Sequence, residues 1–385
     1  MSKPLILYVH HNTEHIGGAD YCLFKMVREV VRSGEFGCLV LLSNESAIAE
    51  LYRRESIPVF LQPAAPLRKS VTALPGWISG AVAESRRIRA LTRRYPVRLL
   101  HSNDLFDFTA NWAARRLHLS SCQHIRTILD NRKPTTRLLS WCCRVAADRI
   151  FCVSDAVHRH LFGEAKRQIH TLYDWLDLAA VGHTQRPAQS LRQELGRDPQ
   201  DVLIGCLGRQ VAWKGQHLLL QAAPIIAAAI PEAFFLFIGE SPSGPYQERL
   251  QAMLVSSPVR DRIRFLGQRR DITSLLSQLD LVVHTSITPD PLPGVVMEAM
   301  SCGLLVVGPD SGGVVEMIED EKSGYLYRCG DAQALATRTI AAWKQQENAL
   351  AIRQTARQRV AQKFAKSRLV DQLLQEYRNL LQYSQ

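Results

Sequence analysis

The sequence is short of acid. It has 36 Asp and Glu against 47 Lys and Arg, a formal net charge of +11 over 385 residues. That imbalance favours an anionic partner: nucleic acid, an acidic membrane surface or a phosphorylated small molecule. Several motifs that would select a chemistry are absent. No CxxC occurs, and nine cysteines without framework spacing exclude a zinc ribbon, a thioredoxin motif and a disulfide scaffold. Cys142 and Cys143 are adjacent and cannot form an ordinary disulfide; free thiols suit a reducing cytosol. Without HExxH, DxD or a cluster of ligand residues, no metal and no cofactor are expected. GxGxxG and GxxxxGKS/T are also missing, which disfavours a nicotinamide dehydrogenase and a P-loop ATPase. Long apolar runs are lacking. Leu218–Gly239 comes nearest, but Pro224 and Pro231–Glu232 interrupt it, and Leu5–Val9 is too short for a signal-peptide core. A soluble or peripheral protein is the expectation.

What remains is ordinary globular composition, 46% hydrophobic and 22% charged, long enough for two domains at about 150 residues each. Short apolar runs alternate with helical stretches. The strands expected in the first half are Pro4–His10, Gly37–Leu42, Ile57–Leu61, Arg98–Ser102, His124–Leu129 and Arg149–Val153, with helices over Asp20–Ser33 and Asn44–Arg54. The rhythm breaks over Ala179–Asp201, which is polar and rich in Gln, Arg and Pro; Ser190 and Gln193 inside it fit a capping box. A second series follows: Val202–Leu207, Ala233–Gly239, Arg264–Leu266, Leu279–His284, Leu304–Val307 and Gly324–Tyr327, then helices Asp331–Gln346 and Ala349–Gln382. Apolar strands separated by helices predict parallel sheets covered on both faces. The expected fold is α/β, two doubly wound Rossmann-like domains facing across a cleft. The boundaries expected are a first domain at 1–180, a linker at 181–200, a second domain at 201–362 and a final helix at 363–385 crossing back to the first.

The strongest local signal is Val202–Gly215, VLIGCLGRQVAWKG. It places Arg209 and Lys214 at a strand-to-helix turn, where free backbone N–H groups already favour an anion. A diphosphate suits that pair, since Arg209 can bind two oxygens in a fork and Lys214 supplies a compact charge. The second is Pro289–Gly303, PDPLPGVVMEAMSCG, with Asp290 in a proline-rich loop and Glu298 just inside a helix. Two such carboxylates can converge on a polyol, as an acidic residue grips a ribose in dinucleotide folds. Weaker signals are Gly17–Gly18 after the first strand and Gly312–Gly313 before Glu316. His11, Asn103 and Asp104 stand at strand ends, with Arg126 beyond another strand, as candidates for a second substrate.

These segments resemble the retaining family 4 glycosyltransferases of the GT-B fold. The likeness covers most of the chain and is most specific over Leu203–Tyr327. It rests on Gly208-Arg209 followed by Lys214-Gly215, on Asp290 with Glu298-Ala299-Met300, and on Gly312-Gly313 with Glu316. The resemblance implies a nucleotide diphosphate-sugar donor held by Arg209 and Lys214. Glu298 would meet the nucleotide ribose, Asp290 the donor sugar, and Gly17–Gly18 the phosphates. It makes Arg209, Lys214 and Asp290 the catalytic set, with Gly312 and Gly313 completing the donor site. His11, Asn103, Asp104 and Arg126 fall on the acceptor side. Three departures stand out: Asp290 replaces the usual Glu, Leu129 a cleft His, and Asp174-Trp175 an Asn-Gly.

Between Arg68 and Arg98 lie eight Lys and Arg against Glu84, interleaved with Trp77, Ile78, Val82, Ile88 and Leu91. A basic helix with an apolar stripe can lie on anionic lipid. The expectation is a cytoplasmic enzyme, peripheral on the cytoplasmic face of the inner membrane, with a glycan or lipid-linked acceptor as in lipopolysaccharide synthesis. A nucleotide-sugar epimerase on the same scaffold is the alternative. A nucleic-acid-binding protein is the weaker one, because aromatic interleaving and any helix-turn-helix, zinc-finger or RNP pattern are lacking.

Overall fold

The computed structural model describes residues 3–11, 17–63, 74–163, 167–178 and 190–382. Arg68, Lys69, the Trp77 side chain, linker residues 181–189 and residues 383–385 lie outside that description. The chain divides into two units, Met1–Asp174 with Ser367–Gln385, and Trp175–Lys366.

Unit 1 runs β1 (Leu5–His10), α1 (Gly18–Arg32), β2 (Gly37–Leu42), α2 (Ala47–Arg54), β3 (Val59–Leu61), α3 (Leu74–Arg94) and β4 (Val97–Asn103). It continues with α4 (Phe108–Arg116), β5 (Ser120–Ile125), α5 (Pro134–Ala146), β6 (Arg149–Cys152), α6 (Asp155–Phe162) and β7 (Ile169–Thr171). Its seven strands lie in the order β3-β2-β1-β4-β5-β6-β7, every pairing parallel.

Unit 2 opens with α7 (Leu191–Leu195), where Ser190 and Gln193 do form a capping box. Then come β8 (Val202–Leu207), α8 (Gln216–Ala229), β9 (Ala233–Ile238), α9 (Pro245–Ser256), β10 (Ile263–Gly267), α10 (Ile272–Leu276) and β11 (Leu281–Val283). It ends with α11 (Gly294–Ser301), β12 (Leu305–Pro309), α12 (Val314–Met317), β13 (Tyr325–Tyr327), α13 (Ala332–Lys344) and α14 (Gln346–Lys363). The order is β10-β9-β8-β11-β12-β13, again all parallel. Every residue of β8 and β9 is buried, as strands covered by helices on both faces require.

Each sheet reverses its winding once, between β1 and β4 in unit 1 and between β8 and β11 in unit 2. At such a switch point two neighbouring loops diverge and leave a crevice at the strand carboxyl ends. The residues singled out by sequence lie at the ends of β1, β4, β5, β8, β11 and β12.

Three expected elements shift and one strand was not expected. The strand expected over His124–Leu129 lies instead at Ser120–Ile125 and is largely polar. It survives burial because its Ser and Gln side chains are bonded: Ser120 Oγ donates to Leu380 O at 3.0 Å and Gln123 Nε2 to Asp104 O at 2.9 Å. Strand β7 lacked an apolar signal long enough to stand out. Helix α2 starts at Ala47 rather than Asn44, after the extended Ser46. The single helix expected over Ala349–Gln382 is two, α14 and α15 (Lys366–Gln382), separated at Phe364, which is fully buried. Helix α15 packs in unit 1, where Tyr377 Oη meets Tyr8 Oη at 3.1 Å and His101 Nδ1 at 2.7 Å.

Candidate functional site

In unit 2 the site grows from the loop after β8. A one-turn 3-10 helix over Ala212–Lys214 ends at Gly215, whose φ of 67° is left-handed and opens α8. A side chain there would place Cβ 2.2 Å from the Thr285 carbonyl oxygen, so only glycine lets this loop meet the end of β11. Two bonds close the seam: Thr285 Oγ1 donates to Lys214 O at 2.7 Å, and Ile287 N to Trp213 O at 2.9 Å. The Lys214 ammonium, 4.3 Å from the Trp213 ring centroid, is thereby set 2.5 Å from Asp290 Oδ2.

Asp290 is buried, yet it carries charge. Burial is the largest influence and opposes ionisation; His284 and the Lys214 ammonium outweigh it and hold the carboxyl well below the usual range. Ser286 Oγ donates to the same oxygen at 3.4 Å, and His284 Nε2 lies 3.4 Å from it, long for a hydrogen bond. Burial keeps the His284 imidazole neutral. Gly312 and Gly313 brace this loop from behind. A Cβ on Gly312, at φ 63°, would fall 2.3 Å from Asp290 O, and one on Gly313 would fall 2.2 Å from Pro291 O. Gly313 N also donates to Asp290 O at 2.8 Å. The pair therefore fixes where Asp290 sits. Glu298 stands half-buried in the second turn of α11. Arg209 is exposed and pairs with Glu240 at 3.2 Å, a surface contact worth at most about 1 kcal/mol. It is held loosely.

Unit 1 gathers a second constellation at the ends of β1, β4 and β5. Asp20 bridges His10 Nε2 at 2.6 Å and the Gly17 backbone N–H at 2.6 Å, tying the Gly17–Gly18 turn to β1. His11 meets Glu84 Oε1 through Nε2 at 2.7 Å and Asp107 Oδ1 through Nδ1 at 2.9 Å. Asn103 carries its amide 3.1 Å from His10 Nδ1 and accepts from Arg126. Arg126 is buried, with Nη2 3.0 Å from Asp174 Oδ1. Asp104, at φ 72°, is a turn former that accepts from Leu105 N and Thr127 Oγ1. Of the four acceptor-side candidates, His11 keeps 28% of its side chain open, whereas Asn103 and Arg126 are interior.

The titrations in this network have opposite signs, which predicts a stability optimum. Burial disfavours the His10 and His11 imidazoliums, but Asp107 with Asp20 and Asp107 with Glu84 outweigh it, raising them to about 9 and about 11. Between pH 6.5 and 9 the folded protein then binds more protons than the unfolded chain, so stability falls as pH rises, by up to about 1.4 kcal/mol per pH unit per group. Burial pushes His101 down to about 3 and lowers His124, so stability also falls as pH drops below 6.5. Unit 1 is expected to melt highest near pH 6.5, and His11→Gln to flatten the alkaline limb. A melting temperature that climbs from pH 6.5 to 9 contradicts this assignment.

Sequence reasoning missed His284 and Ser286, Asp20, Glu84, Asp107 and Asp174. His284 and Ser286 follow β11 directly and could have been found by the strand-end rule used for His11. Glu84 had a signal as the lone acid in a basic run.

Residues 188–359 match the family described as glycosyl transferases group 1. That segment is a group 1 glycosyltransferase domain. It holds the whole Lys214–Asp290–Gly312 constellation. Spore coat protein SA of Bacillus subtilis is 30% identical over 48% of this chain and 52% of its own length. N-acetyl-alpha-D-glucosaminyl L-malate synthase of Bacillus anthracis is 26% identical over 58% and 56%. The chain thus spans about half the length of these curated relatives. Among solved structures, Anabaena Alr3699/HepE in complex with UDP superposes at a TM-score of 0.83 with 23% identity, covering 97% of this chain and 99% of that one. The same protein with UDP-glucose gives 0.80. The glycosyltransferase domain and its partner sheet have the GT-B fold.

Proposed function

We propose that the chain is a retaining, family 4 type glycosyltransferase that moves a sugar from a nucleoside diphosphate-sugar to an acceptor hydroxyl. The observation that carries this is Lys214, fixed on Asp290 at the point where α8 begins. Cleavage of the bond between the anomeric carbon and the diphosphate leaves negative charge on the departing oxygen. Lys214 and the positive end of the α8 dipole face that charge as it grows, and such interactions lower a barrier. Arg209 swings from Glu240 to fork a second phosphate, and Glu298 takes the ribose hydroxyls. Lys214, Ser286 and His284 all meet Asp290 at Oδ2, and Oδ1 is assigned to a hydroxyl of the donor sugar. The sugar bonds to the acceptor oxygen on the face the diphosphate leaves, and the acceptor proton departs with the diphosphate.

HepE, of the same fold, is solved with UDP and with UDP-glucose, which supports a donor of this class. Gly17–Gly18 is assigned to the donor phosphates, and His11, held by Glu84 and Asp107, is the accessible acceptor-side residue, with Asn103, Asp104 and Arg126 behind it at the same strand ends. The names of the two relatives, one a spore coat protein and one a glucosaminyl malate synthase, favour a surface glycan or small glycoside as product. Among the described residues no helix is long and apolar enough to cross a membrane. A lipid-linked acceptor would then be met by peripheral attachment through the basic α3, on the cytoplasmic face.

The test is a thermal-shift series with UDP, GDP, ADP and their sugar conjugates. One nucleotide is expected to stabilise the protein, by about 2.7 kcal/mol at a hundredfold excess over its dissociation constant. Product analysis with that donor should show acceptor-dependent transfer with the anomeric configuration kept. Isomerised donor in the absence of acceptor would instead make the enzyme an epimerase, and no stabilisation by any nucleotide overturns the reading.

A further inference from the structure

Helix α3 carries two apolar stripes, and among the described residues only one is covered. Ile88 and Leu91 are buried in the core with Glu84, which bonds His11 and Thr109 Oγ1. Roughly a third of a turn away, Ile78 and Val82 remain 50% and 45% exposed. They wall an open groove of about 550 Å³ with Trp112 and Arg116 of α4 and Cys142 of α5. The α5 face that carries Cys142 also presents Leu138 and Trp141, 59% and 52% exposed.

The charge around this groove has one sign. Helices α3, α4 and α5 hold nine arginines and one acid, and that acid is the buried Glu84. Among the described residues, none of the nine meets a carboxylate at ion-pair distance. On the α1–α2 side the pattern is opposite: Arg32, Arg53 and Arg54 pair with Glu29, Glu45, Glu50 and Glu55. Arg86, Arg89 and Arg116 line the groove itself. Guanidiniums grip phosphate in a fork, while exposed aliphatic side chains and indoles favour the boundary between headgroup and acyl chain.

We propose that the α3–α4–α5 face seats this protein on an anionic lipid leaflet, with Ile78, Val82 and Trp141 entering the acyl boundary and Arg86, Arg89 and Arg116 holding headgroup phosphates. This deepens the peripheral-attachment part of the reading above and is independent of the donor chemistry. It moves the contact from one basic helix to a three-helix surface whose centre is apolar. An acidic protein would match the charge but leaves the groove without a chemical partner, and a nucleic acid backbone has no use for an apolar centre between its phosphates.

The experiment is co-sedimentation of the full chain with vesicles of phosphatidylcholine alone or mixed with phosphatidylglycerol, at ~0.05 M and ~0.5 M salt. Binding is expected only to the anionic vesicles at low salt, and to fall steeply at high salt. Ile78→Asp with Val82→Asp should reduce it at least tenfold. Arg86→Gln, Arg89→Gln and Arg116→Gln together should reduce it about a hundredfold. All five positions belong to unit 1, whereas Lys214 and Asp290 belong to unit 2. The melting temperature of the variants without ligand therefore reports folding, and its shift with nucleotide reports the donor reading. Equal binding to neutral vesicles, or variants that bind as the parent does, overturns the proposal. So does self-association that Val82→Asp abolishes in a protein that binds no vesicle, which assigns the face to a second copy of the chain.

Discussion

Lys214→Ala is expected to lower kcat/KM for sugar transfer by about 10²–10³-fold, the usual cost of losing one preorganised donor to a developing oxyanion. The ammonium does two jobs here, and the variant removes both. On the proposed reading it faces the departing diphosphate, and in the structure it neutralises Asp290, whose side chain is 7% exposed. Breaking a buried pair from one side costs about 3–5 kcal/mol when nothing else compensates. Ser286 and His284 remain beside Asp290 Oδ2, so the stability loss should sit at or below the lower end of that range. Asp290→Asn separates the two jobs. It keeps the shape of the loop that Gly312 and Gly313 brace and leaves Lys214 free to meet phosphate. Affinity for the bare nucleoside diphosphate should hold or improve, while the added affinity of the sugar conjugate and the turnover both fall. If Asp290 served Lys214 alone, Asn would weaken diphosphate and conjugate equally. Unchanged turnover in Lys214→Ala would remove the donor assignment altogether.

What the sequence makes legible is local. Strands β8 and β9 are uninterrupted apolar runs, and a run of six buried residues in a parallel sheet reads the same in sequence as in space. Glycine patterns marked turns whose packing role the spacing did not show. Gly312 and Gly313 were expected beside a ligand, and their close neighbours are the backbone of Asp290 and Pro291. The polar strand β5 stayed hidden because its stability comes from side-chain bonds to residues as distant as Leu380, which no periodicity encodes. The same holds for the site. Lys214 and Asp290 were found in separate motifs, but their direct pairing across 76 positions depends on how β8 and β11 lie side by side. In α3 the spacing showed an apolar stripe, and burial divided it into a core half and an open half.

The same distinction governs Arg126, whose replacement is expected to do more harm to unit 1 than to any acceptor. Its side chain is 3% exposed, forks Asp174 at 3.0 and 3.3 Å and donates to Asn103. Burial disfavours the guanidinium, and Asp174 with Cys22 more than restores it. Arg126→Ala strands Asp174 in an interior where burial and that carboxylate already push the Cys22 thiol up to about 12. The expected cost is about 3–5 kcal/mol, or roughly 6–20 °C in the melting temperature of a domain this size. Arg126→Met with Asp174→Leu removes both charges and should recover much of the loss, because the pair's burial penalty disappears with it. Arg126→Lys keeps the charge without the fork and should fall between. These variants also tell positioning from contact. A positioning arginine changes stability and the pH profile of His11 while leaving the acceptor KM within a few-fold for the folded protein. A rise in acceptor KM at an unaltered melting temperature would instead put the guanidinium on the acceptor and require Asn103 and Asp174 to release it.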